Sequence, residues 1–298
     1  MALKPTPIVI GIEPFGGSIR NHNPSLPLLF ADDAAVTRGD GVFETLLLRN
    51  GSVANFARHF QRFAASAEML ELLSPIEKDW QRATQEAVQM WHEQMKSLPE
   101  IPDAMVVWTL SRGRESTGIP SAWLTVKAVG EHIFAQREHG VAVMTSPRGY
   151  HVDAQADVPW LTMGAKTLSY AATMAALRWA KRHGFDDVLY VEGERVLEGA
   201  TSTVISIKGN KIRTPISGKG ILAGTTQAAI FEYATAQGWR CKQKDLTLDD
   251  LSKADSVWLV SSVRMAARIT AIDGKKLPKP ENEAEIHALI ARALGHEE

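Results

Sequence analysis

Cysteine is nearly absent from this sequence, since Cys241 is the only one among 298 residues. No disulfide can form within the chain, which favours a reducing compartment. Long hydrophobic runs are also missing. The longest early apolar stretch, Pro7 to Ile12, is too short for a signal peptide, and no later stretch approaches the length of a membrane span. We therefore expect a cytoplasmic protein without a membrane partner.

An excess of charge of one sign is missing as well. The chain has 33 Lys and Arg residues against 34 Asp and Glu, a formal net charge of -1. A near-neutral total argues against a broad nucleic-acid footprint, so no nucleic-acid partner is expected. The contents of hydrophobic residues (45%) and charged residues (22%) are ordinary for a globular protein with a large core.

Several motifs of well-known enzyme classes are absent. The chain has no Gly-x-Ser-x-Gly elbow, no His-Glu-x-x-His pair and no Walker phosphate loop. Gly218-x-Gly220 lacks the third glycine of a dinucleotide-binding fingerprint. The nine histidines show no metal-ligand spacing, and no metal site is expected.

The pattern of apolar residues predicts a mixed α+β and α/β fold in two domains. A hairpin is predicted from Val42 to Phe56 around Asn50-Gly51, because this dipeptide accepts the positive φ angles of a tight turn. Helices are predicted over 57–73 and 76–95, followed by two strands. The polar stretch 130–140 is predicted to be a linker. We place a small α+β domain at 1–133 and a larger β-rich domain with flanking helices at 134–298.

Three segments of the second domain carry groups with related chemistry. Lys166, predicted to open a helix that ends before Gly184, offers an amine that can bond covalently to a carbonyl. Glu198, before Gly199, offers a carboxylate. The segment Gly220 to Thr226 combines glycines, two hydroxyls and a following helix, which suits a phosphate. Together these are the groups that a pyridoxal phosphate enzyme needs.

Each of these signals also has an ordinary interpretation. Most lysines are solvated surface charges, and a glutamate at a strand end is common. Thr225 and Thr226 could simply cap a helix. Ser261 and Ser262, after a short apolar run, add hydroxyl donors but are a weak signal by themselves.

The order of several segments resembles one enzyme family, the fold type IV (class IV) pyridoxal phosphate enzymes. This family includes branched-chain aminotransferases, D-amino acid aminotransferases and aminodeoxychorismate lyases. The resemblance extends over about residues 36 to 275. The segments are Arg38–Thr45, His59–Arg62, Gly164–Tyr170, Leu197–Gly199, Ile221–Thr226 and Ile272–Gly274.

The resemblance implies a role for individual residues. Lys166 is implied to attach the cofactor, pyridoxal 5'-phosphate, and to carry protons, and Glu198 to face the pyridine nitrogen. Tyr170 is implied to contact the phenolic oxygen of the cofactor. The phosphate is implied to be held by Arg62, Gly224, Thr225, Thr226, Ser261 and Ser262. A homodimer is also implied, since active sites of this family borrow from the partner subunit.

Departures from the family patterns favour one reaction. Phe43 and Thr117 stand where D-amino acid aminotransferases usually have Tyr and Arg, and the Tyr-x-Arg-Pro pattern of branched-chain enzymes is absent. Thr45 and Ser111-Arg112-Gly113 are more similar to aminodeoxychorismate lyase. The resemblance thus implies conversion of aminodeoxychorismate to 4-aminobenzoate and pyruvate in folate biosynthesis.

The residues around the substrate are predicted with this reaction in mind. Thr45 is a candidate hydrogen-bond donor to the leaving group, and Phe43 is expected to contact the substrate. The candidates for binding the substrate carboxylates are Arg112, Arg114 and Arg264.

Two alternative functions stay open. One is an aminotransferase for D- or branched-chain amino acids, and the other is a non-catalytic relative that binds a ligand or a partner protein.

Overall fold

The computed structural model describes residues 5–149, 151, 158–218 and 220–295, which form two compact units. Unit 1 comprises Met1–Gly130 and Ala165–Tyr170, and unit 2 comprises Glu131–Gly164 and Ala171–Glu298. The short segment Ala165–Tyr170, which contains Lys166, thus belongs to unit 1 although it lies between two parts of unit 2 in the chain.

Unit 1 is an antiparallel sheet with helices packed on one face. Its elements are β1 (Ile8–Ile12), β2 (Ile19–His22), α1 (Ala34–Thr37), β3 (Gly41–Arg49), β4 (Ser52–Val53), α2 (Phe56–Met69), α3 (Glu77–Met95), β5 (Ala104–Ser111) and β6 (Ser121–Ala128). The six strands follow the order β2-β1-β6-β5-β3-β4. Apolar side chains of β1, β3, β5 and β6 form one core with α2 and α3, in which Phe63, Trp80 and Trp108 are fully or almost fully buried.

The predicted hairpin of unit 1 is confirmed. Strands β3 and β4 pair antiparallel, with Arg49 opposite Ser52. Asn50 and Gly51 between them have φ angles of 51° and 74°, the left-handed conformation that a two-residue turn of this kind requires.

Unit 2 is built around a ten-stranded mixed sheet. Its elements are α4 (Glu131–His139), β7 (Val141–Pro147), a 3-10 helix (Pro159–Leu161), α5 (Ala171–Arg182), β8 (Asp187–Glu192), β9 (Arg195–Gly199), β10 (Thr203–Lys208), β11 (Lys211–Thr214), α6 (Thr225–Ala236), β12 (Arg240–Gln243), β13 (Leu246–Thr247), α7 (Leu248–Ser252), β14 (Ser256–Ser261), β15 (Met265–Ile272), β16 (Lys275–Lys276) and α8 (Glu283–Ala293). The strand order is β12-β11-β10-β14-β15-β7-β8-β9-β13, and β16 pairs with β15. Parallel pairing joins β15 to β7 and β7 to β8.

Two predictions of local structure were wrong. The stretch 130–140 is not an open linker, because α4 occupies Glu131–His139 and its Arg137 donates a hydrogen bond to the Val263 carbonyl, 2.6 Å away. Lys166 does not open a helix. It lies in an irregular segment, and α5 begins five residues later at Ala171.

Within the described part of the chain, the helices are too short or too polar to cross a lipid bilayer.

Candidate active site

The backbone of Lys166 is held from two sides within unit 1. The Phe43 N–H of β3 donates to the Lys166 carbonyl at 3.0 Å. The Lys166 N–H donates to the Ser66 hydroxyl of α2 at 3.1 Å. Thr167 then forms an isolated bridge with Val42. These contacts fix an otherwise irregular segment against both elements.

Two aromatic rings surround the Lys166 amine. Its Nζ lies 4.3 Å from the ring centroid of Phe43 and 5.8 Å from that of Tyr170. The two rings meet edge to face, with centroids 5.3 Å apart. Aromatic faces attract an ammonium group and at the same time restrict its access to water. Tyr170 therefore lies near the lysine, and its contact with the cofactor stays a prediction.

A buried carboxylate on β3 organises the polar residues of α2. The Arg62 guanidinium donates from Nε to Glu44 Oε1 at 2.6 Å and from Nη2 to Oε2 at 2.8 Å. His59 Nδ1 lies 2.7 Å from Glu44 Oε2. His59 and Arg62 are three residues apart on α2 and thus share a helix face, which β3 meets with Glu44. The fork of Arg62 is held in one orientation.

The pKa values of this cluster shift in a consistent way. Burial alone raises the pKa of Glu44, but the charge and hydrogen bonds of Arg62, with the His59 contact, hold it far below its usual range. Burial lowers the pKa of His59, and the contact with Glu44 does not offset this effect. His59 is therefore neutral near pH 7. Because a carboxylate only accepts hydrogen bonds, His59 donates from Nδ1.

Thr45 lies on the same face of β3 as Phe43, because residues two apart in a strand point the same way. Glu44 points to the opposite face, toward α2. The half-buried Thr45 side chain thus shares the face whose Phe43 ring contacts the Lys166 amine. Its predicted role in catalysis stays a prediction.

In unit 2, Glu198 is a buried carboxylate near the end of β9, 6% exposed. The Arg148 guanidinium, which follows β7, donates to Glu198 Oε1, and the Leu222 N–H donates to Oε2 at 3.3 Å. Arg148 also lies 5.3 Å from the ring centroid of Tyr190. The Glu198 carboxylate is thus oriented by its neighbours. A Cβ at Gly199 would collide with the Ser202 hydroxyl oxygen, so a larger residue requires the Ser202 side chain to move.

The predicted phosphate residues of unit 2 lie in two places, the start of α6 and the end of β14. Gly224 is the N-cap of α6, and Thr225 and Thr226 form the buried first turn. Glycine offers no capping oxygen, and a Cβ at Gly224 would collide with Thr203 Oγ1. Ser261 ends β14, and Ser262 begins the turn that leads to β15.

The three predicted substrate arginines are engaged by carboxylates. Arg112 donates to Asp40 at 2.6 Å and to the Leu70 carbonyl at 2.7 Å. Arg114 donates to Asp32 at 3.1 Å, and hydrogen bonds from Ser116 and Arg114 lower the pKa of Asp32 to about 2 despite partial desolvation. Arg264 is buried and bonds the fully buried Asp187 at 2.7 Å. The roles of the three arginines toward substrate stay predictions.

Four residues of these arrangements were not predicted from the sequence: Glu44, His59, Ser66 and Arg148. The first two stand in segments that carried the resemblance, and the His59-x-x-Arg62 spacing could have indicated a shared partner. The contact between Ser66 and Lys166 joins residues that are 100 positions apart in the chain. No local pattern indicates such a contact.

Comparison with known proteins gives a consistent result. The profile of the family described as amino-transferase class IV matches residues 41–272. A Mycobacterium tuberculosis protein named bifunctional aminodeoxychorismate lyase / D-amino acid transaminase is 41% identical over 264 residues, which cover 86% of this chain and 90% of that protein.

Solved structures agree with the sequence match. A hypothetical aminotransferase from Mycobacterium tuberculosis, in its PLP-bound form, aligns with a TM-score of 0.90 at 38% identity and covers 96% of this chain and 98% of its own. A putative aminotransferase from Corynebacterium glutamicum is 52% identical with a TM-score of 0.78, covering 98% and 100%. The predicted enzyme class, fold type and cofactor are confirmed, and the chain belongs to the class IV aminotransferases, the pyridoxal phosphate enzymes of fold type IV.

Proposed function

We propose that this enzyme is an aminodeoxychorismate lyase that releases 4-aminobenzoate and pyruvate. The observation that carries the proposal is the face of β3 that Thr45 shares with Phe43, whose ring contacts the Lys166 amine. In the Phe43 and Thr45 positions the chain departs from the D-amino acid aminotransferase pattern and agrees with the lyase pattern. The 41% identical relative is named for the same lyase reaction.

The residues of each unit suit parts of the cofactor. Unit 1 supplies the Lys166 amine beside two aromatic rings and the guanidinium of Arg62, which Glu44 orients and whose positive charge suits a phosphate. Unit 2 supplies the buried carboxylate of Glu198 and the glycine-capped first turn of α6, where backbone N–H groups suit a phosphate. When bound, pyridoxal 5'-phosphate supplies an electron sink for the carbanion formed next to the substrate nitrogen.

The roles of the residues follow from this fit. The Lys166 amine would hold the cofactor and, when not bonded to it, would take the proton from the amine-bearing ring carbon of the substrate. Glu198, which Arg148 orients, would keep a proton on the pyridine nitrogen. Arg62, Thr225, Thr226 and Ser262 hold the phosphate. Thr45 donates a hydrogen bond to the oxygen of the departing pyruvate, whose loss makes the ring aromatic.

The test is an assay of the purified enzyme with aminodeoxychorismate and no keto acid. A lyase leaves its cofactor unchanged after each cycle, so both products should accumulate far beyond the amount of enzyme. Lys166→Ala should lose nearly all of this turnover, because it removes the amine. Product formation that stops after one turnover until 2-oxoglutarate is added would contradict the proposal.

Transamination of D-amino acids is a second candidate. The relative from Mycobacterium tuberculosis is named for both activities, and proteins from Listeria monocytogenes that are 28% identical are named D-alanine aminotransferase. D-Alanine with 2-oxoglutarate, assayed on the same preparation, tests it.

A homodimer and a cytoplasmic location also belong to this proposal. The first rests on the resemblance, and the second rests on the single cysteine.

A further inference from the structure

Helix α2 contacts the Lys166 segment through one buried hydroxyl. Ser66 is 2% exposed, and its Oγ accepts the Lys166 N–H at 3.1 Å. The carbonyl of Lys166 accepts the Phe43 N–H at 3.0 Å. Both backbone polar groups of Lys166 are therefore hydrogen-bonded, one to a helix and one to a strand.

The same helix face carries the proposed phosphate arginine. His59, Arg62 and Ser66 follow the spacing i, i+3, i+7, which aligns their side chains along α2. Arg62 and Ser66 are four residues apart, about 6 Å along the helix axis. Glu44 fixes the guanidinium of Arg62, and Ser66 fixes the peptide of Lys166.

The segment Ala165–Tyr170 has neither helix nor extended strand pairing of its own. Its position depends on individual bonds, such as the Leu168 N–H to the Gly41 carbonyl at 2.8 Å and the Ser169 hydroxyl to the Gly39 carbonyl at 3.3 Å. An amine that must form a covalent bond is sensitive to its placement, since a displacement of about 1 Å can cost on the order of a hundredfold in rate.

We propose that Ser66 is a positioning residue for Lys166. Its hydroxyl sets the orientation of the lysine peptide and thereby directs the amine toward the cofactor carbonyl. The inference depends on the proposed attachment of the cofactor at Lys166. It does not depend on which substrate the enzyme converts.

The experiment compares the holoenzyme with Ser66→Ala and Ser66→Thr. Alanine matches serine in size and favours a helix, so it removes only the hydroxyl, whereas threonine keeps it. Two readouts need no substrate: the dissociation constant for pyridoxal phosphate, from its absorbance, and the fraction of Lys166 that carries the cofactor after borohydride reduction, from peptide mass spectrometry. We expect Ser66→Ala to weaken binding about tenfold and to lower the trapped fraction, and Ser66→Thr to stay within about twofold of the wild type.

A matched control separates positioning from general stability. Thr84→Val removes another buried helix hydroxyl, which accepts the Trp108 Nε1–H at 3.0 Å in the core of unit 1. It should lower the melting temperature and leave cofactor binding unchanged. Three results would overturn the proposal. In the first, Thr84→Val weakens cofactor binding as much as Ser66→Ala does. In the second, Ser66→Ala binds the cofactor as tightly as the wild type, and in the third, Ser66→Thr weakens binding as much as Ser66→Ala.

Pyridoxal without its phosphate provides the last distinction. If Ser66 acts on Lys166, Ser66→Ala weakens the binding of pyridoxal and of pyridoxal phosphate by the same factor. A loss confined to the phosphate-bearing form would mean that Ser66 acts through Arg62, and the proposal would be wrong. If borohydride reduction of the wild-type enzyme traps the cofactor on Lys166 but the enzyme forms no 4-aminobenzoate, the lyase proposal is wrong and the proposal for Ser66 is unaffected.

Discussion

At the scale of single residues, the pair formed by Glu44 and Arg62 decides how the arginine can be tested. Glu44 is fully buried and accepts both hydrogen bonds of the fork. Removing Arg62 outright would leave a buried charge without its main partner, which typically costs about 3 to 5 kcal/mol. Arg62→Ala would therefore confound folding with binding. A lysine keeps the charge and removes the fork.

We expect Arg62→Lys to weaken the binding of pyridoxal phosphate by roughly ten- to a hundredfold, because a charge-assisted hydrogen bond contributes about 1.5 to 3 kcal/mol. Absorbance titration measures the dissociation constant. Pyridoxal lacks the phosphate, so its affinity should be the same in the variant and the wild type. Equal weakening of both ligands would remove Arg62 from the phosphate site.

At the scale of elements, the sequence predicted what depends on local pattern. The Asn50-Gly51 turn and helices α2 and α3 follow from apolar periodicity and turn chemistry, and the structure confirms them. The polar composition of 131–139 hid a helix, because α4 has no buried residues among those described and so shows no apolar stripe. The sequence predicted that Lys166 opens α5, because apolar periodicity does not show where an irregular segment ends and a helix begins.

The site was predictable where the resemblance supplied a motif, and not where tertiary contacts supply the partner. Lys166, Glu198 and Arg62 stand out in the sequence. The residues that orient them do not, since Ser66 and Arg148 act across 100 and 50 positions of the chain. Arg264 illustrates the converse, because an arginine that looks available in the sequence is buried against Asp187.

The start of α6 depends on a residue without a side chain. A Cβ at Gly224 would collide with Thr203 Oγ1, so Gly224→Ala must displace the Thr203 side chain, the helix start or β10. Overpacking of this kind costs about 1 to 3 kcal/mol. We expect lower thermal stability and weaker pyridoxal phosphate binding, measured by melting temperature and titration. Adding Thr203→Ala removes the collision and should restore both properties. If the double variant is as impaired as the single one, the collision is not the cause.

At the scale of the whole molecule, the cluster of Glu44 and His59 links stability to pH. The pKa of His59 is lowered in the folded state from its ordinary 6.5, so the unfolded chain binds the proton more readily. This contribution to stability is complete above about pH 6.5 and is lost as the pH falls below that value. The pKa of Glu44 is also lowered, from 4.5, so its contribution is present above that value and is lost at more acid pH.

Both shifts act in the same direction, and the free energy of unfolding should fall on acidification, first through His59 and then through Glu44. A difference of one bound proton changes it by up to about 1.4 kcal/mol per pH unit. His59→Asn keeps a donor toward Glu44 but does not titrate, so we expect its unfolding free energy to vary less between pH 7 and 5.5 than that of the wild type. Denaturant titrations with saturating cofactor, at a series of pH values, measure this slope. His132→Asn, at an exposed position of α4, is the control and should keep the wild-type slope. If the unfolding free energy of His59→Asn changes with pH as steeply as that of the wild type, groups other than His59 cause the acid sensitivity.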